Sequence, residues 1–340
     1  MSFLFDTIMV ELTNHCNFRC PFCPSNDISR DKGYIEVKLA DKILKEISEK
    51  KLAKYVQFGI MGEPFLHKEL IEMLKIAEKY SLKIRLFTNG SLLSADIVKQ
   101  LLNVSIHELF VSYRAIEETG FKLDSSYDFL KYREQLKNFL SAALISNKIS
   151  KIYLKVFKKS LYANFVKTEQ ITDKLKGAEV EKFMEDFFDF LPKKISFDKN
   201  SLVVNHDMQV EKNIFVRFET IAAWNSFESI KKGVFYKGIV GACDGLDSHF
   251  GILWNGDLTT CCKDYDGKNR LGNIRENSIV DILNSSKTRK IKRSLKYCYL
   301  PTEYCRVCRG GDSIWRSLVH QLGSIIAYKV PFVRKRFLKM

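Results

Sequence analysis

The sequence predicts an α/β protein, a partial (β/α)6 barrel followed by a small cysteine-rich domain that depends on metal. Two observations carry this reading. Between residues 7 and 221, apolar runs of strand length alternate with amphipathic helical stretches, the pattern of parallel strands joined by crossover helices. The nine cysteines gather at the two ends of the chain, at 16, 20 and 23 and then at 243, 261, 262, 298, 305 and 308. In a reducing compartment, clustered cysteines argue for metal before disulfides.

Each element has its own warrant. The run 7–12 (TIMVEL) is a buried strand leading straight into the first cysteines. A helical period over 39–50 precedes a strand at 55–60, and a helix over 68–80 precedes a strand at 83–87. That strand ends on Thr88-Asn89-Gly90, a turn signal. Helix 94–102, strand 108–112, helix 125–146 and strand 151–157 follow, and 214–221 is the last strand of this half. Six units suit a partial, TIM-like barrel better than a full eight-unit one. Between 160 and 213 the alternation loosens into an expected insertion, with a helix at 181–191 and a short strand at 201–205. From about residue 231, glycines, cysteines and turn signals take over. The expected domains are therefore 1–230, 231–312 and a basic amphipathic tail, 313–340.

Composition bounds the function. The chain of 340 residues is 46% hydrophobic and 12% aromatic, which describes a folded protein and excludes a disordered one. No run of eighteen apolar residues offers a membrane span, and the apolar start lacks the basic region and cleavage site of a secretory signal. Cytoplasm is the expected location. Fifty-five Lys and Arg against forty Asp and Glu leave a formal charge of +15. A solvated lysine-rich surface accounts for such an excess, and so does a phosphorylated substrate, an anionic membrane or nucleic acid.

The first cluster reads Cys16-Asn-Phe-Arg-Cys20-Pro-Phe-Cys23. Three thiolates on one tight loop can hold three irons of a 4Fe–4S cubane and leave the fourth open to a small molecule. A zinc site completed by His15 is the alternative. This CxxxCxxC segment resembles the radical S-adenosylmethionine (SAM) superfamily, and the likeness continues beyond it. Gly62-Glu63-Pro64 resembles the GGEP motif, which holds the methionine amino group in that family; Met61 stands where the first glycine usually sits. Phe22 matches an aromatic position near the adenine, Asn89 lies in a frequent strand-end feature, and Ser112 falls where a polar group often meets the ribose or carboxylate. The resemblance implies that S-adenosyl-L-methionine is a cofactor. It also implies that a 5′-deoxyadenosyl radical removes hydrogen from an unactivated C–H bond.

In the C-terminal part, Cys243 is followed by twelve residues, Gly256, four more and Cys261, and later by Cys305-Arg-Val-Cys308. Asn255-Gly256 is a strong hairpin signal that would draw Cys243 and Cys261 together. Cys262 is the rival to Cys261, because adjacent strand residues face opposite ways. A four-cysteine zinc ribbon is the structural alternative. The segment resembles the SPASM auxiliary-cluster region in its shortened twitch form. That resemblance implies one further 4Fe–4S cluster, held by Cys243, Cys261, Cys305 and Cys308, and able to take an electron from a substrate radical.

Families of this architecture fall into two groups, one acting on small molecules and one maturing peptides and proteins. A first strand within ten residues of Met1 leaves no room in this chain for a leader-binding domain, and one auxiliary cluster leans the same way. The expected substrate is a sugar, aminosugar or cyclitol, oxidised or epimerised, in a form that is phosphorylated or nucleotide-linked given the charge. Arg114, His206 and Arg217 are the candidates for the proton transfer that alcohol oxidation needs. An electron donor such as flavodoxin or ferredoxin is implied as a partner. Peptide modification is the alternative function; RNA modification is a lesser one, since no nucleic-acid-binding module is visible. From 313 to 340 there are six Lys or Arg and no Asp or Glu, interleaved with Trp315, Leu318, Ile325, Ile326, Phe332 and Phe337. This tail is either a helix packed on the fold or a contact to an anionic membrane surface.

Overall fold

The computed structural model describes residues 4–20, 23–113, 128–158, 177–191, 207–220 and 233–330. In chain order the elements begin with β1 (Phe5–Val10), α1 (Val37–Glu49), β2 (Ala53–Phe58), α2 (Leu70–Lys79), β3 (Ile84–Thr88) and α3 (Ala95–Leu101). They continue with β4 (Ile106–Tyr113), α4 (Phe129–Ile145), β5 (Ile149–Lys158), α5 (Gly177–Phe187), β6 (Asp207–Glu211) and β7 (Ile214–Thr220). The last are β8 (His249–Ile252), β9 (Asp257–Thr259), β10 (Gly272–Asn273), α6 (Ile279–Asn284), α7 (Ser286–Lys296), α8 (Glu303–Cys308) and α9 (Ile314–Lys329). Two compact units result. One comprises Met1–Asn14, Asn26–Val56 and Trp224–Met340; the other comprises His15–Ser25 and Gln57–Ala223.

In the second unit the strand order is β3-β4-β5-β7-β6. The first four strands are parallel, and β6 runs antiparallel to β7 at the edge. Period-two alternation gives the sheet two unlike faces. One is closed by Leu86, Leu109, Val111, Ile152, Leu154 and Val216, none of them accessible to solvent. The other carries a ladder of rings, Phe87, Phe110, Tyr153 and Phe215, with successive centroids 4.4, 4.7 and 5.2 Å apart. Two residues nearer the C-terminal edge on the same face, Ser112, Lys155 and Arg217 stand in register across β4, β5 and β7. Helices form where capping and period agree. The Asp128 carboxylate accepts from the N–H groups of Leu130 and Lys131 to open α4, and Ser94 opens α3 in the same way.

In the first unit the order is β10-β9-β8-β1-β2. The stripe Leu39, Ala40, Ile43, Leu44 and Ile47 on α1 is buried, as the helical period requires. The hairpin expected at Asn255-Gly256 is present. β8 and β9 pair antiparallel, and Gly256 takes φ 92°, the left-handed conformation such a tip demands. A buried ion pair fastens it. Glu11, its side chain inaccessible, receives Arg30 Nη2 at 2.5 Å and the Trp254 N–H at 3.2 Å.

All six expected barrel strands are present, with ends shifted by a few residues. The strands β6 and β10 and one pairing, that of β8 with β1, were not expected. β6 lies in the irregular stretch, just beyond the segment 201–205, which falls outside the described residues. β8 pairs parallel with β1, Thr7 opposite His249. The β8 residues Phe250, Gly251 and Ile252 are buried in succession, so no alternation marks this second pairing.

Candidate functional site

Around the first cysteine loop, three stretches of the second unit are knitted into one network. The loop is folded by a turn, the Cys23 N–H donating to the Cys20 carbonyl at 2.9 Å, and is anchored by Phe18, only 2% exposed. The His15 carbonyl accepts from the Glu63 N–H at 2.8 Å, which ties the cysteine loop to Gly62-Glu63-Pro64. Asn89 Nδ2 donates to Asn17 Oδ1 at 2.9 Å, and Asn17 Nδ2 donates to Ser91 Oγ at 2.8 Å, which ties it to the turn after β3. Gly90 has φ 77°, and a Cβ there would stand 2.8 Å from Leu136 and 2.9 Å from Val111.

Glu63 closes the circuit. Its carboxylate accepts from Thr88 Oγ1 at 2.8 Å, the Asn89 N–H at 2.7 Å and the Phe65 N–H at 3.2 Å. It is 1% exposed. Burial outweighs these hydrogen bonds and pushes its pKa from 4.5 up to about 7. Gly62 takes φ 81°, which only glycine adopts freely.

These residues suit an iron–sulfur cluster with an open position. Cys16, Cys20 and Cys23 are half-buried and in no disulfide, and the Phe18 N–H points at Cys16 Sγ, 3.4 Å away. An N–H aimed at sulfur stabilises a thiolate donor. Asn17, Thr88, Ser91 and Tyr132, whose hydroxyl donates to the Asn89 carbonyl at 2.8 Å, are members of this network that sequence reasoning missed. Asn17 lies inside the cysteine loop and Thr88 and Ser91 flank Asn89, so adjacency to the motifs was the one available signal.

The other expected residues of this half have these places. Ser112 is half-buried in β4, opposite Lys155. Arg217 lies on the same row. Its Nε and Nη2 donate to the two Asp207 oxygens at 2.5 and 3.0 Å, and its guanidinium stacks 4.5 Å from the Tyr153 ring centroid. Lys155 Nζ meets Glu219 at 2.7 Å. Phe22, Arg114 and His206 lie outside the described residues.

In the first unit, five cysteines draw together. Cys243 follows a strand-like run whose amides are held by α9. Cys261 and Cys262 follow β9, and Cys305 and Cys308 lie one turn apart on α8, opened by Thr302 at its N-cap. Cys261 is hydrogen-bonded to Cys243; this bond, the Arg309 charge and the Gly245 N–H make Cys243 the more acidic thiol, while the same bond and burial push Cys261 upward. Gly245 is wedged between them. A Cβ there would stand 2.8 Å from the Thr260 carbonyl oxygen and 3.2 Å from Cys261 Cβ. Burial pushes Cys262 and Cys305 up to about 11. Asn269 Nδ2 reaches Cys305 Sγ at 3.6 Å, and the buried Asp264 fixes Asn269 through its N–H at 2.9 Å.

A donor set made wholly of thiols suits iron–sulfur or zinc. Among the described residues, no three His, Cys, Asp or Glu side chains converge at the spacing of a single ion. Arg309 donates to the Ala242 carbonyl at 2.7 Å and places its charge by Cys308 and Cys243. Cys298 has φ 60°, and its carbonyl accepts from the Gly241 N–H at 2.8 Å, a backbone role.

Comparison with known proteins follows the same division. Residues 10–145 match the model of the radical SAM superfamily, and residues 243–309 match that of an iron–sulfur cluster-binding domain, SPASM. The S-adenosyl-L-methionine-dependent 2-deoxy-scyllo-inosamine dehydrogenase of Niallia circulans is 29% identical over 119 residues, 34% of this chain and 47% of that protein. The PqqA peptide cyclase of Bradyrhizobium diazoefficiens is 28% identical over 113 residues, 33% of this chain and 29% of that protein. The chain thus spans less than half the length of these curated relatives. Among solved structures, BtrN in complex with AdoMet and 2-DOIA superposes with a TM-score of 0.54 at 18% identity, over 91% of this chain and 94% of that one.

Proposed function

Because the chain belongs to the radical SAM superfamily and carries a C-terminal SPASM domain, we propose that it oxidises an alcohol of a small polyhydroxylated substrate to a ketone. The substrate class is a sugar, aminosugar or cyclitol, with phosphorylated and nucleotide-linked forms included. Its cofactors are S-adenosyl-L-methionine and two 4Fe–4S clusters, one in each iron–sulfur domain. Together they supply one-electron chemistry that takes hydrogen from a C–H bond.

In this reading Cys16, Cys20 and Cys23 hold the first cluster, and Cys243, Cys261, Cys305 and Cys308 hold the second. The contact of Cys261 with Cys243 favours it over Cys262. Gly62, Glu63, Pro64, Phe22, Asn89 and Ser112 hold S-adenosylmethionine. The row Ser112, Lys155 and Arg217, with Glu219 two residues further along β7, faces the substrate at the C-terminal edge of the sheet. Arg217, always charged and forked onto Asp207, orients a substrate oxygen and takes no proton. Glu219, set against Lys155, is the carboxylate placed to accept the hydroxyl proton. The chain divides functionally at about residues 230 and 312. The reading places it in the cytoplasm, supplied by a flavodoxin- or ferredoxin-type donor.

The observation that carries this reading is the second, all-thiol site. A cluster ligated fully by cysteine has no open iron for substrate and serves to move electrons, which net oxidation requires. The similarity to a 2-deoxy-scyllo-inosamine dehydrogenase supports the substrate class. The similarity to a PqqA peptide cyclase favours a second reading, modification of a peptide.

The test is anaerobic incubation of the reconstituted enzyme, S-adenosylmethionine and a panel of aminocyclitols and sugars. 5′-Deoxyadenosine and a product two mass units lighter are expected, with about eight irons per chain. Turnover on peptides alone would replace the first reading with the second. About four irons with one zinc would remove the oxidative role of the second site.

A further inference from the structure

The helix α9 is built inside out. A surface helix ordinarily buries its apolar stripe and exposes its polar face. Here Ser317, Gln321 and Ser324 are buried, at 3%, 8% and 6% exposure, while Trp315, Leu318, Leu322 and Ile326 stand 73%, 44%, 55% and 51% exposed. The spacing of three, four and four residues puts these four on one stripe.

The burial of the polar face has a clear cause. Gln321 Oε1 accepts from the N–H groups of Ile239 and Val240 at 2.9 and 3.1 Å, and Ser324 Oγ accepts from the Ala242 N–H at 3.0 Å. The helix thus satisfies the backbone that leads into Cys243, and this fixes its apolar stripe outward. Beside it stand Ile239, 59% exposed, and Tyr299, 56% exposed, on the backbone paired with this run.

Charge identifies the occupant. α9 and the ten residues after Val330 carry Arg316, Lys329, Arg334, Lys335, Arg336 and Lys339, with no acid from 313 to 340. The nearest acid in sequence, Asp312, is paired with Arg316 at 2.6 Å. An apolar stripe on a chain segment whose charged residues are all basic matches the interface of an anionic bilayer. At 16 residues α9 is about 24 Å long, short of a hydrocarbon core of about 30 Å. It therefore lies in the plane of the interface. We propose that α9 docks the protein peripherally on an anionic lipid surface through Trp315, Leu318, Leu322 and Ile326.

The test uses the full, cluster-loaded chain in co-sedimentation with vesicles of phosphatidylcholine, with and without phosphatidylglycerol. Partitioning at least about tenfold stronger to the anionic vesicles is expected, with a blue shift of tryptophan emission that is lost in Trp315→Phe. Leu322→Glu with Ile326→Glu changes only exposed positions and is expected to lower partitioning about tenfold or more at an unchanged unfolding midpoint. Should that pair unfold, the Trp315 emission shift in the wild type decides. No partitioning, equal partitioning of wild type and double variant, or no Trp315-dependent shift would overturn the proposal. So would a dimer in light scattering that the double variant abolishes, since a second copy would then be the occupant.

Discussion

Glu63 gives the sharpest test of the first site. Its pKa stands at about 7 in the folded protein against 4.5 ordinarily. Between those values the folded protein keeps a proton that the unfolded chain has lost, so stability falls as pH rises through this window. A displacement of about 2.5 units at about 1.36 kcal/mol per unit amounts to about 3 kcal/mol, complete above pH about 8. Replacing Glu63 by Gln removes the proton and keeps the shape. The amide turns one N–H toward a donor that the carboxylate had accepted, at a cost of about 1–2 kcal/mol. The variant is therefore expected to be less stable than wild type at pH 5 and equal to it or more stable at pH 8.

The measurement is urea unfolding of both proteins at matched iron content across that range, read as the difference between them. Subtraction cancels groups common to both, including Asp264, which burial also pushes up to about 7. A difference that stays flat within about 1 kcal/mol would show that Glu63 does not titrate there and would refute the reasoning. S-adenosylmethionine supplies an ammonium, which favours the carboxylate. Its addition is expected to flatten the wild-type curve and leave that of Glu63→Gln unchanged.

Three further outcomes follow from other residues. Arg30→Met strands the buried Glu11 carboxylate and is expected to cost about 3–5 kcal/mol in urea unfolding at pH 7; an unchanged midpoint would show the pair to be dispensable. Gly245→Ala drives a methyl into the Thr260 carbonyl and Cys261, so iron content is expected to fall from about eight toward about four per chain while 5′-deoxyadenosine formation persists. Arg309→Gln removes a cation beside Cys243 and Cys308, and the midpoint potential of the second cluster is expected to become more negative in EPR-monitored titration, since a nearby positive charge favours the reduced form.

What was legible in the sequence was local. CxxxCxxC and CxxC put thiols on one loop and on one helical face by spacing alone, and Asn255-Gly256 sets a hairpin by its turn chemistry. The parallel strands announced themselves by length and apolar content. The network around the first site was not legible, because Asn17 meets Asn89 and Ser91 across 72 and 74 residues. Asn and Ser have too many local uses for such a pairing to be inferred. Arg217 was named from its place on a strand, but its partner Asp207 was not legible, because it sits on β6, an antiparallel edge strand in an irregular stretch. Gly245 gave no signal, since its need for glycine comes from the Thr260 carbonyl and Cys261 pressing on it and from no turn of its own.

The tail shows where periodicity reaches its limit. The apolar spacing from Trp315 to Ile326 forecasts an amphipathic helix, and one forms. Which face turns inward depends on a quantity the pattern lacks, the backbone donors waiting on the surface that receives the helix. The N–H groups of Ile239, Val240 and Ala242 would be unpaired beneath an apolar stripe, and each would cost roughly 1–3 kcal/mol. Leaving the four large side chains in water forfeits a hydrophobic gain of similar order for each. The two terms nearly balance, so a surface outside the fold that recovers part of the apolar loss tips them further toward this orientation. That is why the inverted helix points to an external surface: binding through its stripe offsets the forfeited gain without disturbing the amides that position Cys243.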